Sequence, residues 1–215
     1  MNGFVGAEHE FHDAAFVQAW ADRFVPTAPR LALFDLILSR IPVNAHVVEL
    51  GLGPGYMARH ILERNGAITY EGVDFSTVFF EVAKKTIGTS MSRVTLTKAD
   101  LMDQAWPKAL SRKPDAIIST WTLHDLGGQK AIADVYARCA ETLPPGGVLL
   151  NGDFIKPDGT TFAFEPGRFE ASMHLELLRQ AGFPDAVSLG VFDMNAETPT
   201  AAQNYACFMG VKPLV

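Results

Sequence analysis

The chain has 215 residues, of which 48% are hydrophobic and 20% charged, a composition typical of one globular domain with a substantial core. Its formal net charge of −6 does not attract phosphate backbones, so nucleic acid is not an expected partner. The N-terminus has no basic head followed by a long apolar core, and no apolar run approaches the roughly 18 residues of a membrane span. Cys139 and Cys207 fall in a helical and a strand pattern, which predicts no disulfide and a cytoplasmic location.

The first segment of the chain, residues 1–42, is predicted to form helices. Phe16, Trp20 and Phe24 recur every four residues and therefore share one helix face. Pro26 ends that pattern, and Pro29 is suited to the first turn of a second helix. After Pro42 the pattern changes, so we assign residues 43–215 to the main domain.

From residue 43 onwards, short apolar runs alternate with helical patterns. Several of the runs are apolar on both faces, which is typical of a parallel sheet covered by helices on both sides, the α/β class. Right-handed crossovers between such strands restrict the topology. The predicted strands are His46–Leu50, Thr69–Asp74, Arg93–Asp100, Pro114–Thr120 and Gly147–Phe154.

The C-terminal part predicts one more helix and two more strands. The helix covers about residues 168–181 and ends at Gly182, a residue type that often terminates helices. The strands cover about 186–192 and 204–211. The long polar segment between them is unlike a tight hairpin but suits an antiparallel pair at a sheet edge.

The stretch VVELGLGPGYMARHIL places three glycines between the first strand and the helix that follows it. Gly51, Gly53 and Gly55 let a ligand approach the backbone, and a helix start offers free N–H groups. This turn suits a carboxylate, a ribose or a phosphate. The dinucleotide fingerprint G-x-G-x-x-G is a poor match, because Tyr56 occupies its third small position.

Further polar residues follow the next three predicted strands. Asp74 ends the second strand, Asp100 ends the third, and STWTLHDL begins at the end of the fourth. Ligands of open parallel sheets bind at the carboxyl ends of the strands, so these residues are expected at one crevice. A carboxylate after the second strand can accept hydrogen bonds from both ribose hydroxyls of a nucleoside. A carboxylate after the third strand can accept a hydrogen bond from the amino group of adenine. These polar residues and the glycine turn, taken together in this order along the chain, are a more specific signal of a nucleoside site than any one of them alone.

These motifs resemble the class I S-adenosylmethionine-dependent methyltransferases. The matching pieces are VVELGLGPG, YEGVDFS, VTLTKADL, PDAIISTWTLHDL and LPPGGVLLNGDF, between about residues 47 and 183. The resemblance implies a Rossmann-like, seven-stranded, mostly parallel sheet with an antiparallel last strand and an N-terminal helical lid. It also implies S-adenosylmethionine as the cofactor.

The resemblance also implies roles for individual residues. The glycines Gly51, Gly53 and Gly55 would pass under the methionine part of the cofactor, with Glu49 near its amino group. Asp74 would bind the ribose hydroxyls. The adenine would contact Phe75, Asp100 and Leu101, and the methionine part would also contact Ser119 and Thr120.

The reaction implied by the resemblance is in-line methyl transfer, for which positioning supplies much of the acceleration. A base is needed only if the acceptor must lose a proton, and His124 is the candidate because its ordinary pKa suits proton transfer near neutrality. The alternative is that His124 only packs in the loop or contacts the edge of the cofactor. The sequence STWT stands where nucleobase and amide methylating branches carry Asn/Asp-Pro-Pro-aromatic, so a small-molecule acceptor is predicted.

Aromatic residues in two segments are predicted to enclose an apolar or aromatic acceptor. One wall would contain Phe4, Phe11, Phe16, Trp20 and Trp121, and the opposite wall Phe162, Phe164, Phe169 and Met173. Each of them could instead be a core residue, since buried aromatic side chains are common. An exposed aromatic N-terminal helix also allows a homodimer contact in place of a lid.

No metal site is predicted. His9 and His12 are three residues apart and Asp13 follows, but no further ligand is evident nearby. Two other functions stay open at this point. One is an NAD-dependent oxidoreductase on a related sheet, and the other is a non-catalytic domain that binds S-adenosylmethionine as a sensor or partner subunit.

Overall fold

The computed structural model of the protein describes residues 9–160 and 164–214. The strands of its sheet are β1 His46–Leu50, β2 Thr69–Asp74, β3 Val94–Lys98, β4 Ala116–Thr120, β5 Val148–Phe154, β6 Val187–Phe192 and β7 Tyr205–Val211. The α-helices of the described residues are α1 Ala14–Arg23, α2 Ala28–Leu38, α3 Tyr56–Arg64, α4 Thr77–Ile87, α5 Gln129–Thr142 and α6 Ala171–Ala181.

The strand order in the sheet is β3-β2-β1-β4-β5-β7-β6. The strands from β3 to β5 pair in parallel, whereas β7 is antiparallel to both of its neighbours. The predicted mostly parallel sheet with an antiparallel last strand is therefore confirmed. The order of the sheet changes direction between β1 and β4, which is the position where open sheets of this type bind ligands.

Three predicted boundaries differ from the structure by two or more residues, and one is the start of β4, which was predicted at Pro114 and lies at Ala116. The third strand was predicted over 93–100 but ends at Lys98, because Asp100 leaves the ladder and its Oδ1 accepts a hydrogen bond from Met102 N at 2.8 Å. The last helix was predicted from about residue 168 but begins at Ala171. Arg168 precedes it in a turn, where Arg168 N donates to Glu165 O at 2.9 Å. The left-handed Gly182 (φ 111°) ends this helix as predicted.

The sheet lies between two apolar clusters. On one face, α2, α3 and α4 contribute buried residues such as Leu33, Ile61 and Phe80. On the other face, α5 and α6 contribute residues such as Tyr136 and Leu178. No helix among the described residues has both the length and the apolar character needed to cross a membrane.

His174 on α6 is fully buried between two aromatic rings. Its ring stacks on Phe169 and Phe208 with centroid separations of 4.3 and 4.6 Å, and its Nδ1 lies 2.9 Å from Tyr136 Oη. Burial disfavours the charged imidazolium and lowers the pKa of His174 to about 4. His174 is therefore neutral in the folded protein at neutral pH.

This burial predicts a pH-dependent stability. The unfolded chain binds a proton at His174 below its ordinary pKa of about 6.5, and the folded chain does not until about pH 4. Stability should therefore fall as pH decreases through this window. Between pH 7.5 and pH 5.5, the free energy of unfolding should fall by about 1 kcal/mol more in the wild type than in His174→Gln. Urea unfolding at the two pH values measures this difference. Equal pH dependence in both proteins would contradict the prediction.

Candidate active site

A cavity of about 340 Å³ opens at the carboxyl ends of the parallel strands. Its volume is in the range of small-molecule sites, and its walls are mainly apolar with a few polar groups. Most of the residues that the sequence predicted for the site line it. They are Glu49, Gly51, Gly53, Asp74, Phe75, Asp100, Leu101, Thr120, His124, Phe11, Trp20 and Trp121.

The glycine turn between β1 and α3 forms the floor of the cavity. Gly51 and Gly53 have positive φ angles of 75° and 50°, which side chains rarely adopt. A Cβ added to Gly51 would collide with the side chain of Thr122, whereas one added to Gly53 would meet no atom within 4 Å. Since Gly53 lines the cavity, that open space is room for a ligand against bare backbone.

Asp74, at the end of β2, holds this turn in place. Its Oδ2 accepts a hydrogen bond from Gly53 N at 2.9 Å, and its Oδ1 accepts one from Ser76 N at 3.0 Å. Burial raises the pKa of Asp74 to about 6, although these N–H donors oppose the rise. A buried carboxylate at this position can accept further hydrogen bonds from a ligand in the cavity.

Glu49 is a second buried carboxyl group on the same wall. It is 1% exposed, and Tyr70 Oη donates a hydrogen bond to its Oε2 at 2.8 Å. Burial raises the pKa of Glu49 to about 8, and the nearby Asp74 adds to the rise. Glu49 is therefore poised to ionise when a cationic group such as an ammonium enters the cavity.

His124 lies in the loop after β4 and pairs with a buried carboxylate. Its Nδ1 is 2.8 Å from Asp153 Oδ1, and its backbone N donates to Asp153 Oδ2 at 3.1 Å. Its Nε2 lies 3.3 Å from Asp125 Oδ1. Burial disfavours the charged ring, but the carboxylates Asp153 and Asp125 outweigh burial and raise the pKa of His124 above its ordinary value. Hydrogen bonding to Asp153 orients the ring at the cavity wall.

The local backbone explains how this loop reaches the cavity. Trp121 has a positive φ of 48°, a strained conformation for a bulky residue, and its N donates to Gly152 O at 2.9 Å. Gly167 packs against the backbone of His124 so closely that a Cβ there would overlap His124 O. The strained turn and the glycine together place His124 and Trp121 on the cavity wall.

Six of the predicted site residues in the described part of the chain do not line this cavity, and one of them, Phe169, is buried and stacks on His174 instead. Gly55 caps α3, and a Cβ on it would press against Ala83 of α4. Ser119 is fully buried and donates its hydroxyl to Leu50 O at 3.0 Å. Phe16 packs against Phe11, Met173 packs against the apolar cluster on the α5 and α6 face, and Phe164 is half-buried elsewhere. Phe4 and Phe162 lie outside the described residues.

Three residues of the site have no strong sequence signal. Asp153 is buried at the end of β5 beside His124, and its position at a strand end was its one indication. Arg30 on α2 and Arg168 before α6 both line the cavity. Neither arginine belongs to a motif, because each reaches the site through the packing of a distant segment.

The groups of this cavity fit S-adenosylmethionine. The bare backbone at Gly53 leaves room for the ligand. Asp74 can accept hydrogen bonds from a ribose, Asp100 can accept one from the amino group of adenine, and the buried carboxyl of Glu49 can pair with an ammonium. Tyr56, which departs from the dinucleotide fingerprint, donates its hydroxyl to Ala21 O at 3.0 Å. Among the described residues, no group of three or more His, Cys, Asp or Glu side chains could hold a metal ion.

Residues 47–147 match the sequence model of a family described as a methyltransferase domain. A trans-aconitate 2-methyltransferase of Paracidovorax citrulli is 29% identical over 115 residues, 53% of this chain and 41% of that protein. An uncharacterized methyltransferase of Oceanobacillus iheyensis is 30% identical over 122 residues, 56% of this chain and 53% of that protein. The matches thus span about half the length of these relatives.

Solved structures of methyltransferases share the fold. An O-methyltransferase family protein from Burkholderia thailandensis aligns with a TM-score of 0.72 and 19% identity, covering 98% of this chain and 64% of its own. Human N-acetylserotonin methyltransferase in complex with its cofactor aligns with a TM-score of 0.65 and 17% identity, covering 93% of this chain and 55% of its own. Residues 47–147 therefore match the model of a methyltransferase domain, and the described residues share the fold of solved methyltransferase structures.

Proposed function

We propose that the protein transfers a methyl group from S-adenosylmethionine to the hydroxyl of a small, largely apolar or aromatic molecule. The observation that carries this proposal is the His124–Asp153 pair. The pair is buried at the wall of the cavity whose floor is the glycine turn. A histidine oriented by a carboxylate is a base, and a base is useful where the acceptor atom must lose a proton. A hydroxyl acceptor meets that condition.

Bound S-adenosylmethionine would supply the methyl group, activated by its sulfonium. Glu49 would hold the amino group, Asp74 the ribose, and Asp100 with Phe75 and Leu101 the adenine. The donation from His124 Nδ1 to Asp153 leaves the lone pair of the neutral ring on Nε2. Nε2, which lies 3.3 Å from Asp125 Oδ1, would accept the proton of the acceptor in place of that contact, and Asp153 would stabilise the imidazolium that forms.

The N-terminal segment, residues 1–42, would act as the lid over the acceptor. Phe11 and Trp20 line the cavity, and their rings contact Phe79 of α4 with centroid separations of 5.2 and 5.6 Å. Leu33 and Phe34 of α2, in contrast, are buried in the core against the sheet. The closing part of this segment is therefore the short 3-10 helix Glu10–His12 together with α1.

The proposed enzyme is cytoplasmic and acts on a small-molecule acceptor. It binds neither nucleic acid nor a membrane. The buried free thiols of Cys139 and Cys207 are compatible with a reducing compartment. A homodimer through the aromatic N-terminal helix is the alternative role for the lid. The elution volume of the purified protein across concentrations would distinguish a monomer from a dimer.

The test is a methyl-transfer assay with purified protein and a panel of phenols, catechols, aliphatic alcohols and trans-aconitate, the compound named in several relatives. The expected result is formation of S-adenosylhomocysteine and a methylated hydroxyl of a phenol, catechol or alcohol, detected by mass spectrometry. Methylation of trans-aconitate alone, which has carboxylates but no alcohol hydroxyl, would give a methyl ester and contradict a hydroxyl acceptor. Calorimetry should show binding of S-adenosylmethionine and none of NAD. Cofactor binding without methylation of any acceptor would favour the sensor, and NAD binding would favour the oxidoreductase.

A further inference from the structure

Arg30 is a half-buried cation at the wall of the cavity, and no carboxylate is paired with it among the described residues. Its guanidinium lies over the ring of Trp121, 4.5 Å from the centroid, and within 5.4 Å of the Phe24 centroid. A cation removed from water in this way is costly unless an anion compensates it. The aromatic faces offset only part of that cost.

The other cation of the cavity, Arg168, differs in having a carboxylate as its ion-pair partner, although its Nε and Nη1 have no hydrogen-bond partner in the described structure. Arg168 Nε lies 2.9 Å from Glu165 Oε2, and its Nη2 donates to Ala201 O at 2.8 Å. Asp193 interacts with Arg30 through charge, but it forms no ion pair with Arg30 in the described part of the chain. Asp193 Oδ1 instead accepts a hydrogen bond from Gln203 Nε2 at 3.2 Å.

Two further hydrogen-bond donors beside Arg30 have no acceptor. Trp121 Nε1 and Tyr205 Oη are both buried without a hydrogen-bond partner in the described structure. The two rings are in edge contact, with centroids 5.3 Å apart, and Tyr205 is 1% exposed. Arg30 lines both the main cavity and the adjoining hollow beside Tyr205. Buried donors usually have partners, so within the described structure the two unsatisfied donors of Trp121, at the main cavity, and Tyr205, at the adjoining hollow, indicate a missing acceptor beside the unpaired Arg30.

We infer that the methyl acceptor is an acid whose carboxylate binds at Arg30, with Trp121 and Tyr205 beside it. The inference rests on the proposed function, which it extends from a small aromatic or apolar molecule to an aromatic or unsaturated carboxylic acid. The apolar walls would take the body of the molecule, and Arg30 would take its charge through paired N–H donors. The hydroxyl to be methylated would then face His124.

The test compares each acid with its uncharged amide: benzoate, cinnamate and para-hydroxybenzoate against the corresponding amides. Binding is measured by calorimetry at pH 7.5, with and without S-adenosylhomocysteine, so the result does not depend on turnover. At least one acid should bind about tenfold more tightly than its amide. Arg30→Gln should abolish this preference while leaving amide binding unchanged, and Arg30→Lys should restore part of it.

Arg59→Gln is the matched control, since it removes the same charge from an exposed ion pair with Glu63 on α3. It should leave the preference of the protein for acids intact. The inference is overturned if no acid in the panel binds better than its amide, or if Arg30→Gln weakens acid and amide equally. Methylation of neutral acceptors alone would overturn it while supporting the proposed function, and failure of S-adenosylhomocysteine to bind would contradict the proposed function instead.

Discussion

Replacing His124 by alanine should lower the turnover number by about 10²–10⁴-fold, the range that general acid–base catalysis contributes. His124 is the buried base candidate of the cavity, and its ring is oriented by Asp153 at 2.8 Å. The measurement is steady-state turnover at saturating S-adenosylmethionine, using an acceptor identified in the panel. Binding of S-adenosylhomocysteine should be unchanged, because the carboxyl groups and the glycine turn that hold the cofactor are not altered. Full turnover in His124→Ala would exclude His124 as the base.

The pH profile gives an independent check on the same residue. Asp153 and Asp125 raise the pKa of His124. The neutral base therefore becomes the main form only at a pH above 6.5, the ordinary pKa of histidine. Turnover should therefore rise with pH along a limb whose apparent pKa exceeds 6.5. Asp153→Asn should move this limb to lower pH, since it removes the negative charge beside the ring. A purely structural role of His124 would leave the limb where it is.

The sequence predicted the parts of the site that depend on strand ends. Asp74 and Asp100 follow neighbouring parallel strands, so any sheet containing both strands brings them to one edge. The glycine turn was predictable for the same reason, since it follows β1 directly. Local pattern and sheet geometry are sufficient for such residues, because neither depends on distant packing.

Residues whose position depends on distant packing were not predictable in the same way. Arg30 reaches the cavity because α2 packs against β5, where Gly152 lets Leu33 approach the strand. Met173 was predicted at the acceptor wall, but its helix turns it towards the apolar cluster between α5 and α6. A helical pattern of aromatic and apolar residues predicts that one face of the helix is apolar. It does not reveal whether that face packs against the sheet, another helix or a ligand cavity.

Asp74→Ala should weaken the binding of S-adenosylhomocysteine by roughly 1–3 kcal/mol, about 5–150-fold, the scale for a lost hydrogen-bonding partner that carries charge. Two effects combine in this variant. The ligand loses its buried acceptor, and the Gly53 N–H, which Asp74 Oδ2 accepts at 2.9 Å, loses the contact that positions the turn. Calorimetry of the wild type and the variant measures the difference.

Asp103→Ala is the control for this comparison. Asp103 Oδ1 also accepts a hydrogen bond from a nearby backbone N–H, that of Ala105 at 2.8 Å, but Asp103 is exposed and does not line the cavity. Its replacement should leave ligand affinity unchanged. In the wild type, affinity should fall below about pH 6, where Asp74 becomes protonated and can no longer accept with both oxygens. Asp74→Ala should lack this step, which is separate from the titration of Glu49 near pH 8. Unchanged affinity in Asp74→Ala, or the same loss in Asp103→Ala, would remove Asp74 from the ligand site.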